Sequence, residues 1–453
     1  MDTRLSDDRK AGSGAFAVDG ETARLTAVRP SPRQLRHAER PFYLFTHFGM
    51  NTATGREWGT GRETPADFTV TDIDPDGWAG AALACGAGGV IVTAKHHDGF
   101  CMWDTAVTDH SVMRSALGRD VVREVADACR RRDLRFGVYL SPWDMHAPCY
   151  GTPAYDDYFC AQLTELLTGY GELFEVWFDG AKGEDAVDFS YDWDRYYALV
   201  RRYQPQACIA ICGPDVRWIG NEGGRVRQSE WSVVPAHLTR AETAEAKSQR
   251  RVDEAAALRK RSQDDDLGSR EALRGEKELA WYPAEADVSI RDGWFWPGGG
   301  NVKSADALFR LYLDTVGRNA SLLLNVPPDV RGRIDDEDFA SLVGLGERIR
   351  ALTASPICEE SPGALPDGTA SLSFGGIRRP RWCVLAEDVA QSQRIERFDL
   401  YLTRPDGTAE RAADGTVVGA RRIVPLSGEA VGATLVVRQS RGEPILAHVG
   451  FYA

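Results

Sequence analysis

The chain has 453 residues, more than one ordinary domain, and its 43% hydrophobic and 27% charged residues are those of a globular protein. A formal net charge of −13 argues against nucleic acid and against an anionic membrane surface as partners, since both repel an acidic protein. No apolar run approaches the roughly 20 residues that span a bilayer, residues 1–20 hold no apolar signal core, and the nine cysteines include no Cys-x-x-Cys pair. The expectation is a soluble cytoplasmic protein with neither a disulfide framework nor a zinc site.

Taken in order, short β-rich runs alternate with helical stretches from about residue 42 to about residue 352. The runs are 42–48, 90–94, 135–141, 174–179 and 207–211, then three less regular ones placed at 227–233, 288–290 and 321–326. The intervening helices show apolar residues at helical spacing, as in Val121, Val122, Val125, Ala128 and Cys129. Eight strands alternating with helices predict an α/β fold, a (β/α)8 TIM-like barrel over residues 1–354. No Gly-x-Gly-x-x-Gly follows the first strand, which disfavours a dinucleotide-binding domain.

Residues 239–278 interrupt the alternation with a highly charged insertion, expected to lie in solvent as a helix or a loop excursion because it offers little apolar surface. Beyond residue 355 the period changes to two, as in Arg381-Trp-Cys-Val-Leu385 and Ile395-Glu-Arg-Phe-Asp-Leu-Tyr-Leu402, with Asp-Gly turn signals between the runs. Residues 355–453 therefore predict a small C-terminal antiparallel β-sandwich.

The C-terminal ends of barrel strands carry the active site in this architecture. Here they are polar and aromatic: His47 ends the first, Lys95-His-His-Asp-Gly-Phe100 the second, Tyr139 lies in the third, and Trp177-Phe-Asp-Gly180 ends the fourth. Each has a plainer reading, Asp179 as a helix cap and the histidines as buried rings satisfied by backbone. A metal site is a sharper competitor, since His47, His96, His97 and Asp98 are suitable ligand types. Adjacent histidines on a strand face opposite ways, so His96 and His97 converge on one ion only where the chain bends. Imidazoles, a carboxylate and tryptophan faces together suit a hydroxyl-rich ring with one apolar side.

The motifs are more specific. Ala94-Lys-His-His-Asp-Gly-Phe100, Gly137-Val-Tyr-Leu-Ser141 and Val176-Trp-Phe-Asp-Gly180 resemble those of glycoside hydrolase family 29, the retaining α-L-fucosidases. The likeness continues through His47-Phe-Gly, Arg56-Glu-Trp-Gly59, Gly213-Pro-Asp-Val-Arg-Trp-Ile-Gly-Asn-Glu222, the stretch 281–291 and Leu322-Leu-Leu-Asn-Val-Pro-Pro328, so it covers about 40–350 in the family's order.

The resemblance implies an exo-acting glycosidase without a cofactor or metal, whose partner is a fucosylated oligosaccharide or glycoconjugate. It implies Asp179 as nucleophile and Glu222 of Gly220-Asn-Glu222 as acid/base, with Glu230 as the rival acid. Sugar contacts are implied for His47, His96 and His97, for Glu57 with Trp58, and for Tyr139 and Trp177; Arg217 completes the substrate-binding set. The form of the Gly-Asn-Glu motif resembles the subgroup that prefers α-1,3 and α-1,4 linkages. Glu285 and Arg291 are secondary candidates for an outer subsite or a structural ion pair, and Phe100, Trp103, Trp294 or Trp296 for the apolar wall against the 6-deoxy methyl group. A retaining pair stands about 5–5.5 Å apart, with one carboxylate ionised and the other kept protonated by burial or by a neighbouring charge. The alternatives are a retaining barrel hydrolase of another sugar, a metal-dependent hydrolase, and a non-catalytic fucose-binding barrel.

Overall fold

The computed structural model describes residues 16–183, 186–187, 189–243 and 266–453. Six parallel strands come first: β1 (Phe42–Thr46), β2 (Gly89–Lys95), β3 (Arg135–Leu140), β4 (Glu175–Phe178), β5 (Cys208–Ile211) and β6 (Arg217–Trp218). An antiparallel ribbon, β7 (Val233–Pro235) and β8 (Leu279–Trp281), precedes the last two, β9 (Ala284–Ser289) and β10 (Ala320–Asn325). The sheet runs β5-β4-β3-β2-β1-β10-β9-β6, and a parallel bridge between Ala210 and Val216 draws its two edges together into a barrel. The predicted architecture is the one observed.

The strands sort their side chains by the two-residue pleat. Phe42, Leu44, Val90, Val92, Val138, Val176, Phe178, Leu322 and Leu324 face outward into one large core shared with the surrounding helices. Tyr43, Phe45, Ile91, Tyr139, Trp177, Cys208, Ala210 and Leu323 form a separate cluster in the barrel lumen. Burial on both faces is why these strands read as nearly continuous apolar runs. Helices open where a side chain satisfies a free N–H: Asp74 caps Pro75–Cys85, Asp120 caps Val121–Arg131 and Ser304 caps Ala305–Thr315. At the barrel floor the helix Pro32–Ala38, opened by a Ser31/Gln34 capping box, turns Gln34 and His37 inward.

The sixth strand differs from expectation. It is Arg217–Trp218, not 227–233, and no helix separates it from β5. The chain instead doubles back over 212–215, with the Asp215 carboxylate accepting the Ile209 N–H at 2.8 Å. Gly213 permits that reversal, since a Cβ there would lie 2.4 Å from Ile209 Cγ2. The seventh strand is longer than its predicted 288–290 and begins at Ala284.

Strands β11 (Pro356–Glu360) to β19 (Ile445–Tyr452) form two antiparallel sheets, one built on β14 (Trp382–Glu387) beside β19, the other on β15 (Ile395–Thr403) beside β18 (Ala430–Ser440). They face each other across Cys383, Leu385, Val449 and Phe451 on one side and Leu372, Phe398, Leu400 and Leu435 on the other, the expected sandwich. Asn319 ties the sandwich to the barrel, donating to the Glu230 carbonyl at 2.8 Å and accepting from Ala420 N at 2.7 Å.

Much of the insertion, 244–265, lies outside the described residues. Its described C-terminal part corrects the expectation of a segment without a core face. Leu273 is fully buried with Leu25, Val233 and Trp281, and Leu267 packs against the cluster of Trp231, Val234 and Tyr282. Arg270 pairs with Glu396 of the sandwich at 3.0 Å, and Arg24 donates to the carbonyls of Leu273 and Glu276. Few apolar residues in a charged run are enough when they are spaced to reach existing clefts. Leu273→Ala is expected to lower the unfolding free energy by about 2–4 kcal/mol, the usual cost of emptying a buried leucine site. The shift of the denaturant midpoint checks this, and a change below ~0.5 kcal/mol would show that the contact is incidental.

Candidate active site

Asp179 directly follows β4, and its Oδ2 accepts the Tyr139 hydroxyl at 2.7 Å. Its Oδ1 accepts the N–H of Ala181 at 2.8 Å, so the carboxylate is held from both sides. It lines a pocket at the C-terminal end of the barrel strands. Phe45, Trp177, Ile211, Trp218 and Trp294 supply its apolar faces, His47, His96 and His97 its imidazoles, and Glu222 and Asp287 two further carboxyl groups.

The three histidines are set by different partners. Asn325 donates its amide N–H groups to Ser289 Oγ and the Trp294 carbonyl, so its oxygen accepts His47 Nδ1 at 2.9 Å and leaves His47 Nε2 as an acceptor. Ser141 donates to the Trp143 carbonyl, so its oxygen accepts His97 Nδ1 at 2.7 Å, with the same result. Asn51 donates to the Glu57 carbonyl and to His96 Nδ1, both at 3.3 Å, so His96 carries its proton on Nε2. The trio thus offers two acceptors and one donor, a pattern matched to sugar hydroxyls. Burial drives all three below the ordinary histidine range, His47 to about 3 and His97 to about 4 despite the Asp179 charge, with His96 also well below it.

His96 and His97 do converge, with ring centroids 4.0 Å apart, because the β2–β3 register slips between Thr93 and Lys95. One ligand atom each from His96, His97 and Asp179 would fit within 4.8 Å of one another. The Asn51 contact, however, places the His96 proton on the nitrogen such an ion would need, so the donor set suits hydroxyls better than a metal.

A carboxyl group that sequence reasoning passed over belongs to the pocket. Asp287, on β9, is 4% exposed and accepts Trp218 Nε1 at 2.6 Å. Burial pushes its carboxyl well above the usual carboxylate range, and the nearby Glu222 charge adds to the effect. The signal was present in the alternation of Glu285, Asp287 and Ser289 along one strand.

Other candidates fall elsewhere. Glu57 accepts the backbone N–H groups of Trp294 and Phe295 and so fixes that loop, while its neighbour Trp58 lines the pocket and packs edge-on against His97. Arg217 is 3% exposed and paired with Glu230, which also reaches Arg227 at 3.5 Å; neither Arg217 nor Glu230 lines the pocket. Arg291 pairs with Asp335 and Asp338, and its guanidinium covers the Trp296 ring. Phe100 and Trp103 belong to the outer core, leaving Trp294 as the pocket's share of the four aromatic residues named for its wall.

Paired carboxyl groups beside aromatic faces at the C-terminal mouth of a TIM barrel define a glycoside hydrolase. The comparisons give the family. The model for the family described as Alpha-L-fucosidase matches residues 37–351. Alpha-L-fucosidase 1 of Arabidopsis thaliana is 35% identical over 464 aligned positions, spanning 93% of this chain and 87% of that protein. The crystal structure of a putative α-L-fucosidase from Bacteroides ovatus superposes with a TM-score of 0.86 at 38% identity, covering 96% of this chain and 76% of that one. A Ruminococcus gnavus family 29 fucosidase in complex with fucose gives a TM-score of 0.80 at 25% identity, covering 98% and 97%. The chain belongs to the α-L-fucosidases of glycoside hydrolase family 29.

The depressed histidines have a consequence for stability. The unfolded chain binds protons at the ordinary pKa of ~6.5 while the folded site refuses them until about 4. Folding stability should therefore fall as pH drops from about 6.5 towards about 4, by at most ~1.4 kcal/mol per pH unit for each histidine. Comparing the wild type with His97→Asn across this window checks the sign: the variant should show a shallower acid slope, and an unchanged slope would contradict the neutral assignment.

Proposed function

We propose that this enzyme removes terminal α-1,3- and α-1,4-linked L-fucose from oligosaccharides by double displacement with retention, using Asp179 as nucleophile and Glu222 as acid/base. The observation that carries the reading is the division of carboxyl groups in one small pocket: Asp179 is held by Tyr139 on one side, while Glu222 and the buried Asp287 lie together as a second group. Two nearby carboxyl groups resist ionising together, which favours one proton retained within the Glu222–Asp287 pair, beside the place of the leaving oxygen. Glu230, by contrast, has its charge taken up by Arg217 and Arg227, an environment that favours a structural anion. The pocket at the barrel mouth, with tryptophan on several sides, supports exo action on a terminal sugar. The linkage preference rests on the form of the Gly220-Asn-Glu222 motif. A cytoplasmic location belongs to the same proposal and is supported by cysteines scattered at irregular intervals with no Cys-x-x-Cys pair.

Azide separates the roles. Asp179→Gly should be nearly inactive on every substrate, with azide yielding the inverted β-fucosyl azide. Glu222→Ala should lose roughly 10²–10⁴-fold on natural glycosides, the worth of general acid catalysis, yet keep the glycosylation step on aryl fucosides with acidic phenols. Azide should then give the retained α-azide. If Asp287→Asn or Glu230→Ala gives that product and Glu222→Ala does not, the acid is misassigned while Asp179 stands.

Linkage is tested on its own. α-1,3- and α-1,4-fucosyl trisaccharides should be hydrolysed faster than α-1,2-linked fucose, and a clear preference for the α-1,2 bond would refute the subgroup.

A further inference from the structure

Beneath the sugar pocket the barrel holds a second polar cluster, contributed by the lower lumen positions of three strands and the floor helix. Tyr43 of β1, Glu175 of β4, Glu285 of β9 and His37 are all at most 4% exposed. His37 Nε2 lies 2.6 Å from Glu175 Oε2 and 2.9 Å from the Tyr43 hydroxyl. The Tyr43 hydroxyl contacts Glu285 Oε2 closely and lies 3.3 Å from Glu175 Oε2, so one phenolic proton sits between two carboxyl groups. Glu285 Oε1 accepts the indole N–H of Trp177 at 2.9 Å. Trp177 forms a wall of the sugar pocket and stacks on Tyr139, at 5.3 Å and 26°, which in turn donates to Asp179. A continuous chain of contacts thus runs from the barrel floor to the Asp179 carboxylate.

The charges in this chain do not balance if both glutamates are ionised. His37 is held neutral by burial, with a pKa of about 4. Among the other groups that face the pair, Tyr43, Cys208, Asp215 and Asp287 supply no cation. Arg33 and Arg201 are engaged by Asp215, and Arg135 by Glu39. Glu175 Oε1 is buried without any partner. Two bare carboxylates in such surroundings are strongly unfavourable, and protonation is the simplest relief.

We propose that Glu285 is a positioning residue: it shares at least one retained proton with Glu175 across Tyr43, and in that state anchors the Trp177 indole that shapes the sugar pocket. A metal ion is the competing occupant, since ligand atoms of His37, Glu175 and Glu285 lie within 4.8 Å of one another. The Tyr43 hydroxyl, in contact with all three, already fills the place such an ion would take. His37 also borders a small gap at the barrel floor, lined by Gln34 and Trp281.

The sign follows from burial, which pushes both carboxyls up to about 8. The folded state therefore binds more protons than the unfolded chain between ~4.5 and about 8, and stability falls as pH rises through that window. The test uses Glu285→Gln and Glu285→Leu in the full chain. Infrared difference spectra, wild type minus Glu285→Gln, should contain the C=O stretch of a protonated carboxylic acid at pH 6 that disappears above about pH 8. The glutamine oxygen still accepts from Trp177, so Glu285→Gln should keep kcat/KM on an aryl fucoside within about threefold and lose much of the alkaline slope in stability. Glu285→Leu leaves the buried Trp177 N–H without its acceptor and should lower kcat/KM by about tenfold or more, mainly through a raised KM. Absence of the protonated-acid band would overturn the proposal, as would a Gln variant as defective as Leu, an active Leu variant, or stoichiometric retained metal. Should Glu285→Leu fail to fold, the wild-type infrared titration and the Gln variant carry the test.

Discussion

Every chemically active side chain in this barrel depends on one geometric constraint, the two-residue pleat of strands buried on both faces. Successive lumen positions on β4 are Glu175 and Trp177, with Asp179 just beyond the strand; on β9 they are Glu285, Asp287 and Ser289; on β1 they are Tyr43 and Phe45, with His47 beyond. The intervening residues, Val176 and Phe178 among them, are committed to the outer core. A one-residue slip in any of these strands would exchange the two sets, turning carboxylates into the apolar layer and valines into the pocket. The apolar outer face therefore enforces the register of the polar inner one. The stability of the fold and the placement of its chemistry rest on the same contacts.

The price of an inward polar face is charge in a dry lumen, and the protein answers it with neutrality rather than ion pairing. The three site histidines stay unprotonated, while Asp287, Glu175 and Glu285 are pushed towards their protonated forms by burial. Outside the pocket, buried charge is paired, as in Lys95 with Asp144 and Arg217 with Glu230. Neutral groups keep their hydrogen-bonding capacity without a counter-ion, which suits a neutral, hydroxyl-rich ligand. They also confine the native protonation pattern to a middle range of pH, bounded by histidine protonation on the acid side and carboxyl ionisation on the alkaline side.

The fold was legible because long parallel strands and amphipathic helices carry strong periodic signals: β1 to β5, β10 and the sandwich fall where the runs predict them. The sixth strand was not, because two residues carry no period, and the stretch 227–233, with Trp231 and Val233 at alternate positions, stood in its place. Asp179, His47, His96, His97, Trp58, Trp177 and Glu222 could be named from motifs and do meet in one pocket. Arg217 was assigned to the substrate, but it pairs with Glu230, for which a buried carboxylate orienting Arg217 or Arg227 was the plainer sequence reading. Asp287 escaped although it alternates with Glu285 and Ser289, because only the neighbouring strands show that this polar face is the lumen. The buried leucines of 267–273 were hidden by the charge around them.

The missing helix between β5 and β6 bears on how the two sides of the pocket are built. Asp179 ends a strand flanked by β3 and β5, and its carboxylate is pinned by Tyr139 and by the Ala181 N–H. Glu222 lies four residues beyond a two-residue edge strand, exposed, on a stretch shaped by Asn221, whose oxygen accepts from Gly223 and Arg225 and whose amide donates back to the Arg225 carbonyl. In the proposed mechanism these are different demands. A nucleophile must meet one carbon along one line, which favours a rigid strand end, whereas an acid/base serves first a leaving oxygen and then a water, and must accommodate whichever sugar departs. Doubling the chain back over 212–215 in place of a crossover helix brings that loop in over the lumen without a packed helix to fix its height. Variation in 219–227 can then change which aglycone is accepted while the Asp179 side, locked by the barrel, stays as it is.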